Sequence, residues 1–166
     1  MCTVSYIPQA RGCILTSNRD EHASRPTAHL PEEERTNGHT VVYPKDPKAG
    51  GTWFAAKDNG VVAVLLNGAF TSFVPSKKHV MSRGLVVLRI IRSVNSLAQL
   101  SYENLNNVAP FTLILFQEEQ LFEFRWTGIR KYQKKLDRGK CHIWSSATLY
   151  SREVIRKREF LFAGFI

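Results

Sequence analysis

The residue best placed for chemistry is Cys2, directly behind Met1. Methionine aminopeptidase removes Met1 when the next residue is small, which leaves a cysteine carrying both its thiol and a free α-amine. The reference pKa of an α-amine is about 7.7–8.0 and that of a thiol about 8.5, so near neutral pH the amine can take the thiol proton. One residue then supplies nucleophile and base, the logic of the N-terminal Thr and Cys enzymes. The alternative is a cysteine standing at position 2 by chance.

A second group is Ser17-Asn18-Arg19-Asp20-Glu21. Residues 3–8 and 13–17 alternate polar and apolar on either side of a Gln9-Ala10-Arg11-Gly12 turn, the pattern of a β-hairpin. Antiparallel pairing brings residues 17–21 back beside residues 2–4. There Arg19 can hold a thiolate or a substrate carboxylate through its planar fork, and Asp20 can orient the α-amine. The same string also reads as a polar turn, with Asn18 or Asp20 in an Asx-turn and Arg19 in a surface ion pair. Third come Gly50-Gly51-Thr52-Trp53 and Asn67-Gly68. The Asn67 amide can donate to a developing oxyanion, although Asn-Gly is equally a turn dipeptide. Neither GxGxxG nor GxxxxGK[ST] occurs, so Gly50-Gly51 is no phosphate loop.

The elements that must position these residues follow from periodicity. Residues 21–39, with Pro26, Pro31, Glu32 to Glu34 and Asn37-Gly38, read as a solvated loop. Short strands are expected over 40–43 and 52–56, and Val61 to Leu66 is a β-branched run suited to a strand covered on both faces. Between Ser82 and Leu105 the period lengthens: Leu85, Leu88, Ile91, Val94 and Leu97 predict one or two amphipathic helices ending before Pro110. Residues 111–116 and 121–126 form a second hairpin, further strands fall over 129–136 and 141–145, and a helix starts at Ser151. Strands, helices, strands and a final helix predict α+β layering in one domain spanning 1–166.

Composition narrows the function. The 166 residues carry a net charge of +9, but residues 1–75 hold seven basic and seven acidic side chains, so the whole excess sits in residues 76–166. The basic stretch Arg130 to Lys140 suits a lysine-protected β-edge better than a nucleic-acid groove. Three cysteines, Cys2, Cys13 and Cys141, make no disulfide framework or CxxC motif, and no signal peptide or membrane span is visible, which suits a soluble cytoplasmic protein. His22, His29, His39, His79 and His142 fall at no zinc spacing, so neither metal nor cofactor is expected. Cys13 and Cys141 read as small strand hydrophobes, and Trp53, Trp126 and Trp144 as core or pocket walls.

Taken together, Met1-Cys2-Thr3-Val4, Thr16-Ser17-Asn18-Arg19-Asp20-Glu21 with Arg25-Pro26, Gly50-Gly51-Thr52-Trp53, Leu66-Asn67-Gly68 and His142-Ile143-Trp144-Ser145-Ser146 resemble the NRDE family, which includes the transport and Golgi organisation protein 2 homologues. The resemblance implies the fold of N-terminal nucleophile hydrolases, an αββα sandwich of mainly antiparallel sheets. It implies an enzyme that hydrolyses a linear amide, with Cys2 as nucleophile, its α-amine as base, Arg19 and Asp20 around it, and Asn67 as oxyanion donor. Asn18, Trp53, Ser145 and Ser146 are then expected at the substrate, with Ser145 and Ser146 standing where the acylase relatives carry a second asparagine. It also implies a different class of function, a non-catalytic carrier of a haem-like or lipid-like ligand, for which no Cys-Pro motif is present. By the same resemblance further strands and helices are expected after Ile166, leaving Phe160 to Ile166 exposed.

Overall fold

The computed structural model describes residues 2–20, 23–73 and 80–166, and for Cys2 the backbone alone. Met1, Glu21, His22, His79 and the Cys2 thiol, all of which figure in the sequence reading, lie outside the described residues.

β1 (Cys2–Pro8) and β2 (Cys13–Arg19) form the expected hairpin, and β10 (His142–Ser145) pairs with the free edge of β1, giving a three-stranded antiparallel sheet in the order β10-β1-β2. The larger sheet runs β3 (Glu32–Thr36), β4 (His39–Tyr43), β5 (Phe54–Lys57), β6 (Val62–Asn67), β7 (Phe111–Gln117), β8 (Gln120–Trp126) and β9 (Lys131–Leu136), each strand hydrogen-bonded antiparallel to the next. α1 (Arg83–Arg92) and α2 (Ser96–Tyr102) cover one face of this sheet through Val86, Val87, Ile90, Ile91 and Leu100. The other face meets the small sheet, where Val4, Tyr6 and Trp144 pack on Val64, Leu66, Ile114 and Phe116. α3 (Arg152–Phe165) lies against β10 on the far side, completing an αββα order of layers. β6 and β7 sit at the centre with both faces covered, as the unbroken apolar run in each requires.

Two expectations are corrected. The acidic stretch Glu32 to Glu34 is not loop but the edge strand β3, turned back on β4 at Asn37, whose φ is +51°. An edge strand tolerates charge, and Glu34 accepts from Arg92 at 2.6 Å and from the Tyr43 hydroxyl at 2.8 Å. In the helical region Leu85 and Val94 do not face the core. Leu85 is on the outer side of α1 and Val94 lies between the helices, 82% exposed. Burying a large aliphatic side chain yields about 1.5–3 kcal/mol, so the face bearing Val86, Val87, Ile90 and Ile91 sets the rotation of α1. Lysine-rich β9 is an exposed edge, as expected. α3 buries none of its side chains, and Phe160 and Phe165 are the most exposed of its large hydrophobic residues. No helix among the described residues is long and apolar enough to cross a membrane.

The Gly50-Gly51-Thr52-Trp53 segment owes its glycines to a close approach. A Cβ on Gly51 would stand 2.4 Å from the carbonyl carbon of Gly84, and one on Gly84 would stand 2.8 Å from the Thr52 nitrogen. The Thr52 N–H also donates to the Gly84 carbonyl at 3.3 Å, so the first turn of α1 and this segment touch backbone to backbone. Gly51→Ala and Gly84→Ala are each expected to cost about 2–4 kcal/mol, because the atoms to be displaced are main chain. At about 2–4 °C per kcal/mol, calorimetry should show the melting temperature of each variant reduced by roughly 4–16 °C.

Candidate functional site

The register of the small sheet sets Cys2 of β1 directly opposite Arg19, the last residue of β2. Side chains alternate along β2: Ser17 and Arg19 are half-buried toward the large sheet, and Thr16 and Asn18 are exposed on the other face. The Arg19 guanidinium lies over the Trp53 indole, 4.2 Å from the ring centroid, and its Nη2 donates to Asp46 Oδ2 at 2.7 Å. Arg25 donates to the same oxygen through Nε at 3.1 Å and Nη2 at 2.8 Å.

Asp46 is 6% exposed and all its acceptor capacity is used. Oδ1 takes the backbone N–H groups of Lys48 and Ala49, each at 3.0 Å, and the turn closes where the Asp46 N–H donates to the Gly51 carbonyl at 2.8 Å. Burial pushes the carboxyl pKa up, but the N–H of Ala49, the fork of Arg25 and the N–H of Lys48 outweigh it, holding the group below the usual aspartate value.

Arg19, Arg25, Asp46 and Trp53 line a cleft of about 180 Å³ together with Asn67 and Arg83. Asn67 ends β6, and the chain turns at Gly68 with φ at +81°. The dipeptide therefore serves both expectations, a strand end carrying an amide and a turn. The Asn67 carboxamide has no hydrogen-bond partner among the described residues. Arg83, the first residue of α1, donates Nη1 to the Pro110 carbonyl at 3.2 Å and faces the Phe73 ring at 5.7 Å. Burial lowers its pKa, and the charge of Arg25 works in the same direction.

The cleft thus brings together Arg19, Trp53 and Asn67 of the sequence-predicted set. Cys2 is set opposite Arg19 by the register, its thiol lying outside the described residues, and the remaining candidates lie elsewhere. Asp20 is exposed and accepts a hydrogen bond from the Tyr150 hydroxyl, while Arg158 of α3 stacks on the Tyr150 ring at 3.7 Å and donates to the Thr3 hydroxyl. Ser146 is fully buried, and its hydroxyl donates to the Asn67 carbonyl at 2.8 Å, which makes it a support for the end of β6. Ser145 sits opposite Thr3 in β10 and lines a separate cavity beside Trp144 and Arg125. Sequence reasoning missed Asp46 and Arg83 outright and gave Arg25 no role. Asp46-Pro47-Lys48-Ala49 carried a usable signal, since an aspartate ahead of such a turn accepts the N–H groups that follow it. Arg83 carried none, being one basic position in an amphipathic helix.

A guanidinium fixed opposite Cys2 can stabilise a thiolate, and an unengaged carboxamide can donate to an oxyanion. Among the described residues no three His, Cys, Asp or Glu side chains gather as a metal site. Compared with known families, residues 1–162 match the model described as Transport and Golgi organisation 2. Among curated proteins no match is found.

Removing one partner of a buried ionic group costs about 3–5 kcal/mol, so Asp46→Asn should unfold at clearly lower denaturant concentration at pH 7. Because the folded carboxyl is held below its unfolded value, its contribution is complete above about pH 4 and fades as pH falls through the folded value. Denaturant titrations between pH 2 and 7 should show a shallower acid loss in Asp46→Asn than in the parent chain.

Proposed function

Given that the chain belongs to the Transport and Golgi organisation 2 family, we propose that it is a cytoplasmic N-terminal-cysteine hydrolase acting on a linear amide bond. The observation that carries this reading is the register that sets Cys2 opposite Arg19, at a cleft that also holds the unengaged Asn67 carboxamide.

Removal of Met1 frees the α-amine of Cys2. That amine takes the thiol proton as the sulfur attacks the amide carbon, and a tetrahedral oxyanion forms. Asn67 donates to this oxyanion, and Arg19, held by Asp46 and Trp53, favours the thiolate. As the C–N bond breaks, the ammonium returns its proton to the departing nitrogen, leaving an amine product and a thioester on Cys2. Water then attacks the thioester, the α-amine takes a water proton, the C–S bond breaks, and the acid is released as the thiol is restored. Pre-organisation supports this assignment: Arg19 is held by an ion pair and by stacking, which fixes its position before substrate arrives.

Intact mass of the protein purified from cells should correspond to a chain beginning at Cys2; retention of Met1 sinks the reading, because the base is then locked in a peptide bond. With a panel of activated acyl amides, the parent chain should gain an acyl mass on its N-terminal residue and Cys2→Ala should gain none. A ligand carrier would instead bind porphyrin or fatty-acid probes equally well with or without the thiol. Asn67→Ala should lower kcat by about 10²–10³-fold with far less effect on KM, the signature of a donor used in the transition state.

A further inference from the structure

We infer that the substrate of this cleft carries a carboxylate and that Arg83 binds it; the amide-hydrolase reading supplies the reaction, and the carboxylate follows from the charges alone. Among the described residues, three guanidinium groups, Arg19, Arg25 and Arg83, line the cleft with one carboxylate, Asp46. That carboxylate is saturated: Oδ2 takes Arg19 and Arg25, and Oδ1 takes two backbone N–H groups. It has nothing left for Arg83, and no other described acid pairs with Arg83. Its partners among the described residues are the Pro110 carbonyl at 3.2 Å and the Phe73 ring. One of five N–H donors is engaged, so a fork of donors remains for a ligand.

A cation shielded from water, next to a second cation and without an anion, is costly to maintain. The burial that depresses the Arg83 pKa, and the contribution of Arg25 to it, agree with this geometry. A guanidinium fork pairs bidentately with a carboxylate or a phosphate, and the one spare cation of Arg83 balances the single charge of a carboxylate. The residue also shares its cleft with Asn67, so an anchored carboxylate would place an amide of the same molecule near the proposed oxyanion donor. Arg83 is therefore a specificity residue that selects amides bearing an acid and discriminates against their neutral analogues.

The test uses the full chain with Cys2→Ala, so that binding is read without turnover. Two matched pairs of probes are titrated calorimetrically: hexanoylglycine against hexanoylglycinamide, with the acid on the amine side, and N-propylglutaramic acid against its methyl ester, with the acid on the acyl side. In at least one pair the acid should bind about 10- to 100-fold more tightly, the strength of charge-assisted hydrogen bonds. The responding pair identifies which half of the substrate carries the carboxylate. Adding Arg83→Gln should reduce that preference to within about threefold. Should Arg83→Gln not fold, Arg83→Lys serves, with a loss of several-fold expected because the fork is gone while the charge stays. Equal binding of acid and neutral probe in both pairs, binding of none of the four, or a preference that survives substitution of Arg83 overturns the inference. Turnover by the parent chain without acid preference removes this inference and leaves the hydrolase; acid preference without turnover removes the hydrolase and leaves the site.

Discussion

One carboxylate organises the cleft. Asp46 accepts from Arg19 at the end of β2, from Arg25 in the segment that follows, and from two amides of its own turn. These groups come from both sheets' surroundings, so a single buried anion ties the small sheet to the edge of the large one. Burying a carboxylate is affordable only with its lone pairs filled, and here they are. The turn it stabilises leads into Gly51 and Thr52, whose backbone rests on Gly84 at the start of α1. Loss of that anion would therefore disturb the guanidinium opposite Cys2, the wall at Trp53 and the seat of α1 together.

Elsewhere the fold uses polar groups to close gaps that apolar packing leaves. Between the sheets the Trp144 indole N–H donates to Glu123 at 2.8 Å, and Arg125 pairs with the same carboxylate in fork geometry, both contacts at 2.9 Å. Burial raises the Glu123 pKa and Arg125 more than reverses it, so the group stays ionised in the interface. Two lysines serve the helices. Lys57 reaches the Ser93 carbonyl at 2.7 Å at the end of α1, and Lys131 reaches those of Ser101 and Glu103 at 2.7 Å at the end of α2, where positive charge complements the helix dipole. Part of the basic excess is thus spent inside the molecule and advertises no partner.

Much of this was legible in the sequence because the signals were local. Alternation marked both hairpins, an unbroken apolar run marked β6, and the hairpin register placed Arg19 against Cys2. β3 escaped because three glutamates mimic a loop, and only its pairing with β4 shows that the alternation continues. Leu85 and Val94 misled because three- and four-residue spacing fits more than one stripe of a short helix, and the sheet decides which stripe is buried. Asp46 and Arg83 were hidden for a different reason. The turn at Asp46 had a local signal, but its ion pair with Arg19 and the contact of Arg83 with the Pro110 carbonyl each span 27 positions, which no window of sequence brings together. Ser146 was expected at the substrate but bonds to the Asn67 carbonyl, a contact set by how β10 leaves the sheet.

The pairing of β1 with β10, Thr3 opposite Ser145, has a consequence for the order of events in synthesis. The first strand cannot acquire its second neighbour until residues 142–145 have left the ribosome, and Arg158 reaches Thr3 later still. At about 5–20 residues per second, this leaves the N-terminus without that cover for many seconds. The edge of β1 that β10 comes to cover is therefore open throughout that interval.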